Sequence, residues 1–330
     1  MKNGRVALIG ILLCLFVAVS GFSETTLKDL QKVMDDFSEN MANSLPFNST
    51  IGLNWSHAHI GQFLGVPPHF GVGVSLGLTT MDAGAFDNLL KQFGISSLPD
   101  FGGFPVPGYT VEGRIGGFVL PFDAGIKFGY MPLSLGDVKL DYLLVGGDIR
   151  YAVLKGNAIL PTVSLGIGFN YMDGGLSKKI DEDRMFNFPY LSDTATLTVG
   201  APDVGITWET KTLDFKAQVS KSLFIITPYL GLGASYGWSR AGYSIDSKIT
   251  AKDSSDNPLA LNDVRSAIKA FGIDNVDGAG FSSEKEISGL SFRTFGGLSF
   301  NLAFIKIDLT GMYNFSDGNY GVTLGTRFQL

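Results

Sequence analysis

The sequence from residue 70 to residue 79 reads Phe70-Gly71-Val72-Gly73-Val74-Ser75-Leu76-Gly77-Leu78-Thr79. Large apolar side chains alternate there with glycine, serine or threonine at every second position. Successive side chains of a β-strand point to opposite faces of the sheet. The stretch therefore predicts a strand with one apolar face and one face of small or polar side chains.

The same alternation recurs along most of the chain. It predicts about twelve strands, at residues 50–60, 69–79, 108–120, 122–132, 138–153, 157–172, 194–208, 212–222, 224–243, 288–301, 303–314 and 319–330. Most of them are about 10 to 16 residues long, whereas strands of ordinary sheets average about 5–6 residues. Because a tilted strand needs about 9–11 residues to cross a membrane, strand length favours an all-β fold, a transmembrane antiparallel up-and-down β-barrel.

Short connections predict that neighbouring strands are antiparallel hairpins. They contain the sequences Leu120-Pro121-Phe122, Lys155-Gly156-Asn157, Glu209-Thr210-Lys211 and Ser316-Asp317-Gly318-Asn319. Three other connections are long, at residues 80–107, 173–193 and 244–287. A barrel should carry its long loops at one end, but twelve strands would place the third long loop opposite the first two. Either the strand count is wrong by one between residues 173 and 243, or a long segment folds into the lumen.

The polar face of the predicted strands carries most of their charged residues. Twelve of these are expected to line the lumen of a barrel: Glu112, Arg114, Asp123, Lys127, Lys139, Asp141, Asp214, Lys216, Arg293, Lys306, Asp308 and Arg327. With Asp148 and Arg150 added, the acids and bases nearly balance, which argues against strong ion selectivity. Buried charges persist only when they are paired, so the simpler interpretation is a network of cross-strand ion pairs, and the alternative is a polar pore constriction.

Alternation alone does not separate a barrel in lipid from a soluble β-sandwich. In the sandwich the charged face would meet water, whereas in the barrel the apolar face would meet lipid. Aromatic residues near the strand ends favour the barrel: Tyr130, Tyr171, Trp208, Trp238, Tyr313 and Tyr320.

Residues 1–23 have the pattern of a cleaved export signal. Lys2 and Arg5 precede an apolar run at residues 6–19, and cleavage after Ser23 agrees with the preference for small residues. The only cysteine of the chain lies in this run. We therefore expect an exported, cysteine-free protein in the outer membrane.

Residues 24–48 predict a short N-terminal amphipathic helix, because apolar side chains recur at helical spacing and Thr26 can cap it. The helix is expected to act either as a plug of the lumen or as a periplasmic tether. Residues 49–330 are predicted to form the barrel.

The composition excludes several classes of protein. Of 330 residues, 43 are glycine, 45% are hydrophobic and 17% are charged, which excludes a disordered chain. A net charge of −6 and a pI near 5.1 argue against a partner made of nucleic acid.

Motifs for chemistry are weak. The segments at residues 73–77 and 233–237 both match the G-x-S-x-G nucleophile elbow, which functions only at a strand-to-helix turn, and both lie within predicted strands. His57 and His59 could share one strand face, but no third metal ligand is identifiable near them. None of the three histidines has a serine two residues later, as a barrel phospholipase would require. We expect no catalytic residues, no metal and no cofactor.

The last predicted strand places Tyr320, Val322, Leu324, Phe328 and Leu330 on one face up to the carboxyl terminus. This resembles the terminal strand of outer-membrane β-barrel proteins of Gram-negative bacteria and spirochaetes, although the usual final residue there is phenylalanine. The resemblance implies that these residues form the signal read by the barrel assembly machinery, and that outer-membrane lipid surrounds the protein.

Together these features predict a passive channel or a structural surface protein with a polar lumen, with small solutes or hydrophobic compounds as possible ligands. One alternative is a plugged transporter of hydrophobic compounds, since the N-terminal helix and 26 phenylalanines loosely resemble the long-chain fatty-acid transporters. The other alternative is a soluble exported β-sandwich that binds a partner.

Overall fold

The computed structural model describes residues 27–82, 84, 103–179, 183–190, 193–260, 262–265, 276–277 and 280–330. The predicted signal peptide lies outside these residues. The described part contains one long helix, α1 (Leu27–Asn48), and the following strands: β1 (Phe70–Met81), β2 (Phe104–Gly116), β3 (Phe122–Tyr130), β4 (Leu133–Leu135), β5 (Val138–Leu154), β6 (Thr162–Lys179), β7 (Arg184–Tyr190), β8 (Asp193–Ser220), β9 (Ile226–Lys252), β10 (Val276–Asp277), β11 (Gly280–Leu302), β12 (Ile305–Asn314) and β13 (Tyr320–Gln329). None of its helices is both long and apolar enough to cross a membrane.

Ten of the strands close into one barrel. Their order around the ring is β1-β2-β3-β5-β6-β8-β9-β11-β12-β13, and β13 pairs with β1 to complete it. All of these pairs are antiparallel, and β4, β7 and β10 pair with single strands of the ring. The structure confirms an all-β, up-and-down barrel with an N-terminal helix and excludes the sandwich.

The ring has ten strands rather than twelve because two sequence predictions are wrong. Residues 50–60 form no strand, since their backbone runs irregularly through the barrel interior. Residues 194–208 and 212–222 belong mainly to one strand, β8, and no hairpin occurs at Glu209-Thr210-Lys211. These three residues pair on one side with β6 and on the other with β9, so the ladder continues through them.

With ten strands the long connections lie at one end of the barrel. We call the end that carries the β1–β2, β6–β8 and β9–β11 connections the upper end, and the opposite end the lower end. The lower end carries short turns at residues 117–121, 155–161, 221–225 and 303–304. The two strands that close the ring, β1 and β13, begin and end there, respectively.

One side of the barrel is taller than the other. Strands β5, β6, β8, β9 and β11 contain 17 to 28 residues, whereas the remaining ring strands contain 9 to 13. We call these five long strands the tall wall. The upper parts of β6 and β9 extend into two regions that the sequence pattern predicts to be long loops. Residues 173–179 and 244–252 are therefore strand rather than loop.

The two faces of the tall wall exchange polarity along the strands. In the lower part of β6 the outward Phe169 is exposed and the inward Asn170 is buried. Higher on the same strand the outward residue is Asp173, and the inward Leu176 is buried in an apolar core. The lower part therefore has the polarity of a barrel in lipid, and the upper part has that of a protein in water.

Candidate functional site

The barrel interior is filled by the N-terminal part of the chain. Helix α1 lies in the upper interior against the tall wall, and residues 49–60 descend from it through the lower lumen. We call α1 together with residues 49–60 the plug. The chain leaves the lumen at the lower end, where β1 begins.

Apolar side chains hold α1 in place. The buried face of the helix contains Phe37, Met41 and Leu45, which are in the same core as residues of β5, β6, β8, β9 and β11. At the upper end Asp35 accepts a hydrogen bond from Ser283 at 2.9 Å and lies 3.3 Å from the ammonium group of Lys285. The predicted amphipathic helix is thus present, and its apolar stripe faces the inside of the barrel.

The backbone carbonyls of the lower plug accept hydrogen bonds from side chains of the barrel. The Lys127 ammonium donates to the carbonyl oxygens of Ser49 and Ile51, both at 2.7 Å. The Gln218 amide donates to carbonyls further along the plug, at 2.8 and 3.0 Å, and Lys216 donates to the carbonyl of Leu53 at 3.2 Å. Side chains thus replace the sheet ladder as partners for these buried carbonyls.

Carboxylates and hydroxyls of the barrel accept from the plug in turn. Glu112 accepts from the backbone N–H of Leu53 at 2.9 Å and from the indole N–H of Trp55 at 2.6 Å. Ser220 accepts from the N–H of Ala58, at 2.9 Å. These contacts explain why residues 50–60 are not a strand, since their hydrogen-bonding groups are used by side chains that point inward.

Asp123 is the most highly connected charge of the lower lumen. Its carboxylate is fully buried, is paired with Arg114, and accepts from Arg150 at 2.8 and 3.1 Å. It also accepts from the plug N–H of Ile60 at 3.1 Å, and His59 Nδ1 lies 3.3 Å away. Two guanidinium groups and the plug thus compensate one buried carboxylate.

Two further buried acids continue this network around the lumen. Asp148 lies 2.6 Å from Arg114 and 2.5 Å from Lys216. Asp214 accepts hydrogen bonds from both terminal nitrogens of Arg293, at 2.6 and 2.9 Å. Such pairing is what allows charged groups to remain in a dry interior.

A third cluster, around Arg327, holds the lower end of the plug. Arg327 pairs with Asp308 and donates to Ser56 of the plug at 3.0 Å. Its guanidinium lies 4.8 Å from the ring centre of Trp55, a cation–π distance. The plug is therefore fixed to β13 as well as to β2, β3 and β8.

At Gly52 the plug packs closely against β2. Its backbone has a φ of +84°, and an added Cβ would lie 2.5 Å from the Thr110 hydroxyl and 2.9 Å from Glu112. Glycine meets both requirements, because it adopts positive φ without strain and has no side chain to clash.

Nine of the twelve predicted lumen charges are buried in the lower lumen: Glu112, Arg114, Asp123, Lys127, Asp214, Lys216, Arg293, Asp308 and Arg327. Lys306 lies at the lower end, partly exposed, with its ammonium on the Ala303 carbonyl at 2.9 Å.

The placement of Lys139 and Asp141 in the lumen is wrong. Both side chains point outward and are exposed, while their neighbours Leu140 and Tyr142 are buried inside. They lie on the upper part of β5, where the faces have exchanged polarity, so a charge there belongs to the outer face.

The sequence pattern does not predict the irregular segment at residues 50–60 or its hydrogen bonds to the barrel. Ile51, Leu53 and Trp55 alternate with Gly52 and Asn54, as side chains of a strand do. The alternation therefore predicts a strand where the structure has an irregular segment. The only local signals against a strand are Gly52 and the later Pro67-Pro68 pair.

The weaker motifs of the sequence lie in ordinary structural positions. Residues 73–77 lie inside β1 and residues 233–237 inside β9, where the Ser235 hydroxyl donates to Asp214 at 2.7 Å. His57 Nδ1 lies 3.1 Å from Arg327 in the lumen. Within the described residues no three His, Cys, Asp or Glu side chains are grouped so that they could hold a metal ion.

On the outer face of the tall wall, the side chains change from apolar to charged from one cross-strand row to the next, toward the upper end. One cross-strand row consists of Phe169, Leu213, Tyr236 and Leu290, the next of Tyr171, Lys211, Trp238 and Ser288, and the next of Asp173, Glu209, Arg240 and Glu286. The change from apolar to charged side chains takes place over these three rows. Of the predicted aromatic residues, Trp208 departs from this pattern, since it packs against the interior core.

The charged row borders a shallow cleft of about 430 Å³ on the outer surface. Arg240 and Lys211 both pair with Glu209 there. Burial raises the pKa of Asp173, and the neighbouring Glu209 carboxylate raises it further.

The terminal strand completes the outer surface. Val322, Leu324 and Phe328 are exposed on its outer face, as is Tyr320 at its upper end. The N–H of Leu330 donates to the Phe70 carbonyl at 3.0 Å, which fastens the chain terminus to the start of β1.

Comparison with solved structures gives distant similarities. The outer membrane protease OmpT from Escherichia coli is 11% identical over 80% of this chain and 97% of its own, with a TM-score of 0.42. The translocator domain of the autotransporter NalP from Neisseria meningitidis is 10% identical over 92% and 98%, with a TM-score of 0.34. A major outer membrane protein from Thermus thermophilus is 10% identical over 79% and 98%, with a TM-score of 0.31.

No curated protein sequence matches the chain. A family model does match, over residues 24–330, and its description is Lsa36-like. The chain belongs to the Lsa36-like family.

Proposed function

We propose that this protein is a closed barrel of the outer membrane that serves as a structural surface protein rather than as an open channel. Its lower part is embedded in lipid, and its tall wall and long connections stand above the membrane at the cell surface. The N-terminal helix acts as a plug and not as a periplasmic tether.

The outer surface supports the membrane assignment. Apolar side chains cover the outer face of the lower barrel, and we call this surface the apolar belt. Val72, Ile126, Leu232 and Leu324 belong to it, and all four are more than half exposed. On β5 the apolar outward positions extend from residue 143 to residue 153. At about 3.3 Å per residue and a tilt near 40°, they span roughly 25 Å, which is the height of the apolar band of outer-membrane barrels.

The observation that carries the proposal is the filling of the lumen. The plug occupies the upper lumen with an apolar helix and the lower lumen with an irregular segment, and the side chains of a balanced charge network bind that segment. A polar pore constriction would need these charges to face water, but the nine predicted lumen charges that lie inside are buried.

A plug would also be present in a transporter of hydrophobic compounds. Two cavities formed by described residues give that role no support, because charged side chains contribute to the lining of each. One is the cleft at Lys211 and Arg240, and the other is the small cavity at Lys127 and Asp214.

Single-channel recording in planar bilayers tests the proposal. We expect the full protein to show no steady conductance, and a variant that lacks residues 24–44 to stay closed because residues 49–60 still fill the lower lumen. Removal of residues 24–60 should open the lumen in any fraction that still shows the gel-mobility shift of a folded barrel. A steady ohmic conductance of the full protein would contradict the proposal.

A further inference from the structure

The lower end of the barrel carries an unusual set of turns. We call the turns at residues 117–121, 155–161, 221–225 and 303–304, with the segment 61–69 beside them, the lower rim. Each of these five pieces exposes large apolar side chains, namely Phe118, Val119 and Leu120, then Ile159 and Leu160, then Leu223, Phe224 and Ile225, then Phe304, and finally Leu64 and Val66. Phe224 is 102% exposed and Ile159 is 86% exposed. Turn tips in water are usually built from Gly, Pro, Asn, Asp and Ser, so these tips have the composition of a buried surface.

The side chains of the lower rim include basic but no acidic groups. The five pieces contain no aspartate or glutamate, and they contain Lys155, Lys221 and His69, with Lys306 two residues after the last turn. The charged row above the apolar belt, in contrast, includes Asp173, Glu209 and Glu286. Apolar side chains with lysines and without acids match a surface of acyl chains and phosphate groups.

Lysine side chains at the lower rim donate hydrogen bonds to several carbonyl groups of its turns. The Lys221 ammonium donates to the carbonyls of Asn157, Ala158 and Leu160, at 2.8, 2.9 and 3.1 Å. Lys306 donates to Ala303.

One carbonyl in each of two other turns also has a donor within the rim or the adjoining strand. The Gln62 amide donates to the Val119 carbonyl at 2.5 Å, and the N–H of Asn301 donates to the Ile225 carbonyl at 2.7 Å. A turn in water has no need of such partners, whereas a turn in lipid requires them because each unsatisfied group costs several kcal/mol.

From these three features we infer that the lower rim is a lipid-binding ring. Its apolar tips enter the boundary between headgroups and acyl chains of the lower leaflet, and the exposed Lys155 faces the phosphate groups of phospholipids. The ring continues the apolar belt, so the barrel ends inside the leaflet and not in the water below it. This inference rests on the proposed membrane location.

Site-specific fluorescence in lipid nanodiscs tests the inference, since both faces of a nanodisc meet water. The full chain carrying Cys14→Ser is labelled with an environment-sensitive dye at single cysteines. Phe224→Cys tests the lower rim, Leu232→Cys on the outward face of β9 reports the apolar belt, and Asp256→Cys reports the upper turn after β9. Quenching by nitroxides on the lipid and by an aqueous paramagnetic ion is measured for each label.

We expect lipid nitroxides to quench the label at 224 about threefold more strongly than the label at 256, and the aqueous ion to show the reverse order. If 232 is quenched from lipid but 224 behaves like 256, the rim lies in water and the inference is overturned while the proposed function stands. If 224 is shielded from both quenchers, a protein covers the rim, and the lipid assignment is equally overturned. If 232 itself is not quenched from lipid, the proposed function fails.

Discussion

Asp123 is the residue on which the charge balance of the lower lumen depends most. It compensates Arg114 and Arg150 and also holds the plug N–H of Ile60. We expect Asp123→Asn to lower the free energy of unfolding by about 3–5 kcal/mol, because two buried guanidinium groups lose their common counter-charge. Urea unfolding in vesicles measures the loss.

The exposed Asp141 provides the matched control for Asp123. The same substitution there, Asp141→Asn, removes a charge that faces outward, and it should change the unfolding free energy by no more than about 0.5 kcal/mol. Equal losses for the two variants would mean that Asp123 is not in a buried network.

Asp173 gives a prediction about pH. Burial and Glu209 raise its pKa, so the folded protein binds this proton more tightly than the unfolded chain does. The ionised Asp173 carboxylate therefore lowers the stability of the fold at pH values above its raised pKa. This loss of stability disappears below the pKa that the carboxyl has in the unfolded chain. We expect Asp173→Asn to raise the melting temperature at pH 8 and to leave it unchanged at pH 3. A gain of equal size at both pH values would disprove this assignment.

At the scale of single elements, β8 is the clearest test of the strand count. Thr210 lies in its middle, fully buried, with its hydroxyl 2.8 Å from that of Ser239. We expect Thr210→Pro to prevent assembly of the barrel, because proline removes a ladder hydrogen bond inside a central strand. Thr210→Ala keeps the backbone intact and should still assemble. A normal gel-mobility shift for the proline variant would favour the hairpin that the sequence predicts at residues 209–211.

The sequence predicts those elements whose environment is uniform along their length. The strands β1, β12 and β13 keep an apolar outer face and a small or polar inner face along most of their length, so alternation identifies both their extent and their faces. Along the tall wall the apolar side chains change from the outer face in the lower part to the inner face in the upper part. This change is the reason that the prediction for Lys139 and Asp141 is wrong.

The prediction for residues 50–60 is wrong because their partners are side chains from distant strands, and no local pattern encodes such partners.

At the scale of the whole molecule, the N-terminal plug and the barrel depend on one another. The barrel supplies the hydrogen-bond partners of an irregular segment, and the segment occupies a lumen that would otherwise hold buried charges facing a void. The ends of the barrel also differ, since acidic side chains occur at the level of the charged row and the five pieces of the lower rim contain none. The two ends of the molecule are therefore chemically distinct, with the long connections at the end opposite Lys155 and Lys221.

Tryptophan accessibility tests the central claim that the plug fills the lumen. Trp55 is 3% exposed, and its ring centre lies 5.6 Å from the guanidinium group of Arg114 and 4.8 Å from that of Arg327. In a variant with Trp208→Phe and Trp238→Phe, Trp55 is the only remaining fluorophore of its kind. We predict that, in folded barrels in bilayers, neither aqueous iodide nor brominated lipid quenches its emission. Efficient quenching of Trp55 by iodide, in a sample that shows the mobility shift of a folded barrel, would contradict the account.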